Sequence, residues 1–285
     1  MELRPLYLPT LGAVTTVVLL LLFRLGQRVM TPKHTVKEDL EHGDMAHALL
    51  QVGQVLGLFL ISGSVVAGSA QGESVARDVL WVAAHGIASL VLLALFGNLG
   101  VRVLLRSRLL AEIERGNIAA GVAGGAHYLA TAIILARSVS GSGLGSLGVA
   151  LVFFVLAQFT LHAFVALFRT LTAYDDAEEV LGENLAAGLS YAGVTVALAL
   201  IIGHAVEGTF VDWATSLRGY GLALLFALAL YPVRQLFVQT LLLGARFTLR
   251  GGRLDQGIAA ERNLGMGMLE AISYLAAAFL VTRLA

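Results

Sequence analysis

The chain has no cysteine, only 4 prolines among its 285 residues, and only 13% charged side chains. Each shortage removes a class of answer. Without cysteine there is no disulfide frame, no thiol nucleophile and no thiolate metal site. A charged fraction about half that of soluble domains leaves too few polar side chains to cover a water-facing surface. The charges present cancel to a formal net of +0, so the chain as a whole carries no electrostatic footprint for nucleic acid. No glycine-rich phosphate loop of the Walker type occurs, and the longest polar connection, about 20 residues, leaves no room for a separate soluble ATPase, kinase or hydrolase domain.

Long apolar runs are what the chain does have, with 58% hydrophobic residues and a mean hydropathy of +0.82. A helix needs about 20 apolar residues to cross a hydrocarbon core of about 30 Å. Eight stretches meet that length, near 6–24, 45–68, 78–101, 117–139, 145–169, 184–206, 218–245 and 263–284. They are too long for barrel strands and lack strict alternation. The expected fold is all-α: a polytopic membrane helical bundle of about eight transmembrane helices, with the lipid bilayer as its first partner. Arg24 and Arg28 follow the first run instead of preceding it, so residues 6–24 read as a permanent helix and not a cleaved signal.

Basic residues give the orientation. The connections after the odd-numbered helices hold Arg24, Arg28, Lys33, Lys37, Arg102, Arg106, Arg108, Arg115, Arg169, Arg246, Arg250, Arg253 and Arg262, against Arg4, Arg77, Arg137, Arg218 and Arg283 at the opposite ends. Both termini are expected outside and the longer loops in the cytoplasm.

Each even-numbered helix opens on a polar gate: Asp44, Asn117, Asn184 and Asn263, at intervals of 73, 67 and 79 residues. Four residues further stand Ala48, Gly121, Gly188 and Gly267. Seven further stand Gln51, Gly124, Tyr191 and Glu270, and eleven further Val55, Tyr128, Thr195 and Tyr274. These offsets trace one helix face. The segments "MTPKHTVKEDLEHGD" (30–44) and "LTAYDDAEEVLGEN" (171–184) are alike, and so are "RVLLRSRLLAEIERGN" (102–117) and "RFTLRGGRLDQGIAAERN" (246–263). The chain therefore reads as two four-helix membrane repeats in tandem, residues 1–143 and 144–285, with the seam near "SGSGLGSLG" (140–148). Both repeats share one orientation, with a symmetry axis along the membrane normal. The duplication suggests the hypothesis that single-copy relatives dimerise and that this chain is a covalent version of that dimer; its own oligomeric state has no sequence signal.

The four-helix unit, with "TP", acidic residues and "EHGD", and later "IERGNIAAG", resembles the bacterial membrane family called domain of unknown function 350. The first copy carries the pattern more fully. In the second, Glu183 stands where the gate has glycine, and "AAERNLGMG" lacks the Gly-Asn pair. The resemblance implies an integral protein of the bacterial inner membrane, often associated with envelope-stress proteins, and supplies no catalytic residues.

Asp or Asn at a helix start accepts bonds from free backbone N–H groups, so the gates are candidate helix-start caps. Glycines four apart let neighbouring helices approach, so the stripe of Gln51, Gly121, Gly124, Tyr128, Gly188, Tyr191, Gly267 and Tyr274 is a candidate packing surface. The same stripe on four helices around an axis is equally a candidate pathway. Glu270 lies about 10 Å below the interface at 1.5 Å per residue, with Arg234 in "YPVRQLF" as its candidate partner and Pro232 as a candidate kink. His85, His127, Gln158, His162 and Gln239 are further intramembrane polar groups, each more simply an interhelical bonder than a proton carrier. Glu41, His42, Asp44 and His47 are close enough to test as a metal site, but the spacing of five between the histidines splays them on a helix, and no metal or other cofactor is expected. Ser62 and Ser64 have no evident base, which argues against an enzyme. The acidic run 174–183 reads as a solvated loop, with a basic cytoplasmic protein as its alternative partner. The expected function is a non-enzymatic membrane component that organises or stabilises the envelope through cytoplasmic loop contacts. The alternative is a channel or transporter for a small ion or solute, with a polar pathway between the two repeats.

Overall fold

A computed structural model describes residues 4–30, 41, 43–72, 74–104, 109–139, 143–208 and 210–284. The helices are α1 (Arg4–Met30), α2 (Met45–Ser69), α3 (Val75–Leu104), α4 (Leu109–Glu114), α5 (Ile118–Ser138), α6 (Leu144–Leu171), α7 (Asp176–Leu181), α8 (Leu185–Val206), α9 (Trp213–Arg234), α10 (Arg253–Ala259) and α11 (Leu264–Leu284). There is no strand among the described residues. Eight of the helices are long and apolar enough to cross a membrane: α1, α2, α3, α5, α6, α8, α9 with its continuation, and α11. The protein is a polytopic helical bundle. Segment 31–40, His42, Arg106, Arg108 and the seam residues 140–142 lie outside the described residues.

The gated helices form a row. α2 packs on α5, α5 on α8 and α8 on α11, while α1, α3, α6 and α9 lie against the row's flanks. One contact recurs at every step of the row. The residue four beyond the cap of one helix lies on the residue two beyond the cap of the helix before it: Gly121 on Ala46, Gly188 on Ala119, Gly267 on Ala186. A Cβ on these glycines would stand 2.4, 3.0 and 2.4 Å from the alanine carbonyl oxygen, so backbone meets backbone. Further along, Gly53 meets Gly125 and Gly193 meets Ala271 in the same way. Lipid tails are as apolar as leucine, so this close approach, with its dispersion contacts, is what holds membrane helices together.

The row is open, which corrects the expectation of four stripes set around one central axis. The faces that would continue it carry bulky, lipid-facing side chains in place of glycine or alanine, Val52 on α2 and Ile272 on α11, both more than half exposed. These bulky residues stand at the level of the Gly53–Gly125 and Gly193–Ala271 contacts, while nearer the caps the end positions, Ala48 and Gly265, stay small.

The seventh span departs from the expected shape. Past Pro232, α9 does not simply kink. It widens into a π-helix over Gln235–Leu242. The wider turn brings Arg234, Gln235, Val238 and Gln239 all inward, and each is buried.

Candidate functional site

Two polar constructions occupy the end of the bundle where the row helices begin. The first is the line of gates. The residue before each cap has a left-handed backbone: Gly43 (φ 71), Gly116 (φ 84), Glu183 (φ 62) and Arg262 (φ 50). The second repeat thus keeps the turn geometry of the first without its glycines, at a backbone cost of about 1–2 kcal/mol per residue. Each cap then bonds its own helix: Asp44 Oδ1 accepts from His47 N–H, Asn117 Oδ1 from Ala120 N–H, Asn184 Oδ1 from Ala186 and Ala187 N–H, and Asn263 Oδ1 from Met266 N–H.

Asparagine also has an amide to donate, and this links one hairpin to the next. Asn117 Nδ2 donates to Glu112 Oε2 (3.0 Å) and forward to the Val180 carbonyl (2.8 Å). Asn184 Nδ2 repeats the pattern one step on, to Glu179 Oε2 (2.8 Å) and to the Ile258 carbonyl (2.8 Å). Both asparagines are buried with every polar side-chain atom engaged, whereas Asn263, the cap of α11, is exposed. Asp44 has no N–H to give; its Oδ2 bonds the His47 ring at 2.8 Å. Partial burial acts to raise the Asp44 carboxyl, but the His47 bonds outweigh it and hold the group below its ordinary value. Across the seam, Arg115 bonds the Leu181 carbonyl at 3.0 Å and approaches Glu183 at 3.4 Å.

The second construction, among the described residues, belongs to the second repeat. Arg234, only 1% exposed, donates from Nε to Glu270 Oε1 (2.6 Å), from Nη2 to Asp255 Oδ1 (2.6 Å) and from Nη1 to Gln235 Oε1 (2.8 Å), and its guanidinium lies 5.5 Å from the Tyr231 ring centre. Asp255 Oδ2 accepts from Ala173 N–H at 2.7 Å, tying α10 to the connection after α6. A third buried carboxylate, Asp176, places its Oδ2 3.4 Å from Arg169 Nε, while Arg169 Nη2 donates to Asp175 Oδ1 at 3.0 Å. Burial pushes the Asp176 carboxyl up to about 7; Arg169 opposes this, while Glu270 and Asp175 add to it. The Tyr174 hydroxyl is raised well above its ordinary value by burial and by Glu270, Asp176 and Asp255. Two buried carboxylate oxygens, Glu270 Oε2 and Asp176 Oδ2, make no hydrogen bond within the protein. A cleft of about 440 Å³ lined by Arg169, Thr172, Tyr174, Asp175 and Arg250 opens beside this cluster.

Of the residues singled out from sequence, the structure brings Arg234 and Glu270 together and buries Gly121, Gly188 and Gly267 in helix contacts. Gly124 faces Leu50 and Leu109, Tyr128 donates to Asn98 Oδ1 (2.9 Å), Tyr191 and Tyr274 are buried, and Gln51 is half-buried. His127 and His162 have ring centres 5.2 Å apart between α5 and α6. Ser62 bonds Thr16 and the Gly12 carbonyl between α1 and α2. Among the described residues no group of three or more ligands could hold a metal. Sequence reasoning missed Asp255, Asp176, Gln235 and the forward amide bonds. A signal existed for Asp176. The bonds from the cap N–H groups make Glu112, Glu179 and Gly257 equivalent, and three residues earlier stand Leu109, Asp176 and Leu254, all buried. A carboxylate occupies a leucine position.

Comparison with known proteins agrees with the doubled architecture. The family model described as Domain of Unknown Function (DUF350) matches twice, over residues 6–139 and 141–284. A UPF0719 transmembrane protein of Aquifex aeolicus (strain VF5) is 25% identical over 211 residues, covering 73% of this chain and 75% of the relative. No solved structure matches the chain.

Proposed function

Because this chain belongs to the DUF350 family and carries two of its units in tandem, we propose that it is a non-enzymatic component of the bacterial inner membrane, a rigid row of helices that presents a cytoplasmic docking surface and so organises or stabilises the envelope. The observation that carries this reading is the step repeated three times, including α5 on α8 across the two repeats. Backbone contact at Gly188 and Ala119 puts solid packing where a pathway between the repeats would run. The forward amide bonds of Asn117 and Asn184 lock the same end that carries the exposed acidic residues Glu178 and Glu183, a surface suited to a basic protein segment. Both termini lie outside in this reading, from the bias of basic residues.

The buried cluster favours a second reading, transport of a small ion, since a carboxylate at the depth of Glu270 is costly and often marks an ion route. Flux of protons and common ions in proteoliposomes separates the two. The scaffold reading expects no flux above that of empty vesicles, for the wild type and for Glu270→Gln alike. Wild-type flux that Glu270→Gln abolishes would replace it with the transport reading.

A further inference from the structure

Between α7, α8, α9, α10 and α11 the protein buries more negative than positive charge. Arg169 and Arg234 face Asp176, Asp255 and Glu270, with Asp175 at the rim on the Arg169 side. Arg234 bonds Glu270 Oε1, Gln235 and Asp255, and none of its bonds goes to either open oxygen. Glu270 Oε2 and Asp176 Oδ2 belong to residues only 1% and 3% exposed, and neither accepts a hydrogen bond. Among the described residues, Asp176 Oδ2 has only Arg169 Nε near it, at 3.4 Å, and Arg169 is shared with Asp175. Two guanidinium groups thus stand against three buried carboxylates, and uptake of a cation lowers the cost of that excess charge. The smallest cation, and the one that needs no coordination shell, is the proton.

We propose that this cluster is a proton-binding site, in which hydronium arriving through the cleft beside Tyr174 and Asp175 converts the Asp176 carboxylate to the carboxylic acid and leaves water behind. The groups facing Asp176 come from every side: Arg169 of α6, Tyr174 and Asp175 of the connection, Tyr191 of α8 and Glu270 of α11. Glu270 in turn faces Arg234 of α9, Asp255 of α10 and Ser190 of α8. A proton on Asp176 removes the repulsion between it and Glu270 and supplies an O–H donor where there is now only an acceptor. In the first repeat Gly124 stands where Glu270 stands here, and the neighbouring hairpins carry Leu109 and Leu254 at the position of Asp176. The inference is independent of the scaffold reading, since a proton bound in place needs no flux.

The test is infrared difference spectroscopy of the chain in lipid nanodiscs, stepping the solution from about pH 5.5 to about pH 8.5 and following the carbonyl band of protonated carboxyl groups. The wild type is expected to lose such a band with a midpoint near neutral. Asp176→Asn is expected to abolish it, and so is Asp176→Leu, which installs the side chain of the equivalent hairpins and guards against misfolding of the amide variant. Exchanging choline for sodium is expected to leave the midpoint in place. The proposal is overturned by a wild type that shows no titrating carboxyl band in this range, or by a band unchanged in amplitude and midpoint in Asp176→Leu. A midpoint that falls with added sodium would also overturn it, in favour of an alkali-cation site.

Discussion

Seven residues beyond its cap, α5 carries Gly124, which faces the side chains of Leu50 and Leu109, whereas α11 carries Glu270, ion-paired with a buried arginine. The helices start on the same left-handed turn and pack on their predecessors through the same backbone contact, at Gly121 and Gly267. One fold therefore tolerates either a dry or a charged filling at this depth. The charge cluster is not what makes the row; the recurring small residues are. A buried ion pair is weak evidence for stability, because desolvation offsets most of its attraction. Among the described residues such a cluster occurs in the second repeat and not in the first, which points to a role other than folding, and proton uptake is that role.

The comparison can be broken hardest at Arg234. Arg234→Met leaves Asp255 and Glu270 buried and unpaired, an expected loss of about 3–5 kcal/mol in detergent unfolding. Adding Asp255→Leu and Glu270→Leu is expected to recover most of it, making the second repeat dry like the first. The glycine steps come next. Gly121→Ala and Gly267→Ala should each cost about 1–3 kcal/mol and match one another, while Gly188→Ala, with its Cβ at 3.0 Å rather than 2.4 Å, should cost least. Unequal losses at Gly121 and Gly267 would mean that the two repeats do not share one step.

The gates sharpen the comparison further. Asn117→Asp and Asn184→Asp keep the cap but remove the amide donors, so each should lose about 1–2 kcal/mol, with a carboxylate set against Glu112 or Glu179. Asn263→Asp, at the open end, should be near neutral. The smallest effects lie at the left-handed turns. Glu183→Gly and Arg262→Gly should stabilise by about 0.5–1 kcal/mol, and Gly43→Ala and Gly116→Ala should destabilise by a similar amount, all read as shifts in melting temperature.

The spans and gates were legible because helix length, capping chemistry and the offsets of 4, 7 and 11 are local signals. Arg234 with Glu270 was legible because intramembrane charge is rare enough that two such residues on neighbouring helices single each other out. The open row was not legible. Its second face is Ala46, Ala119 and Ala186, and alanine is too common in apolar helices to stand out. Offsets along one helix also say which residues share a face, not which helix that face meets. Asp255 was hidden in a polar loop, where a carboxylate needs no explanation, and it became a buried ligand of Arg234 only through the folding of α10 against the π-helical turn. That turn follows from no residue pattern in "RQLFVQTLL", and the widening it brings is what places Gln235 and Gln239 inward together.

The central claim is that the two repeats meet directly, through the step that also joins helices within each repeat. A chain with no native cysteine is a clean background for testing it. The most direct measurement is disulfide formation in the double variant Ala119→Cys with Gly188→Cys, whose Cβ atoms lie about 3.1 Å apart on α5 and α8, close enough for a bridge after a small adjustment. The row predicts a bridge within one chain, seen as a linked peptide pair by mass spectrometry in chains of monomeric mobility. Free thiols under oxidation, or a bridge formed only between chains, would contradict it.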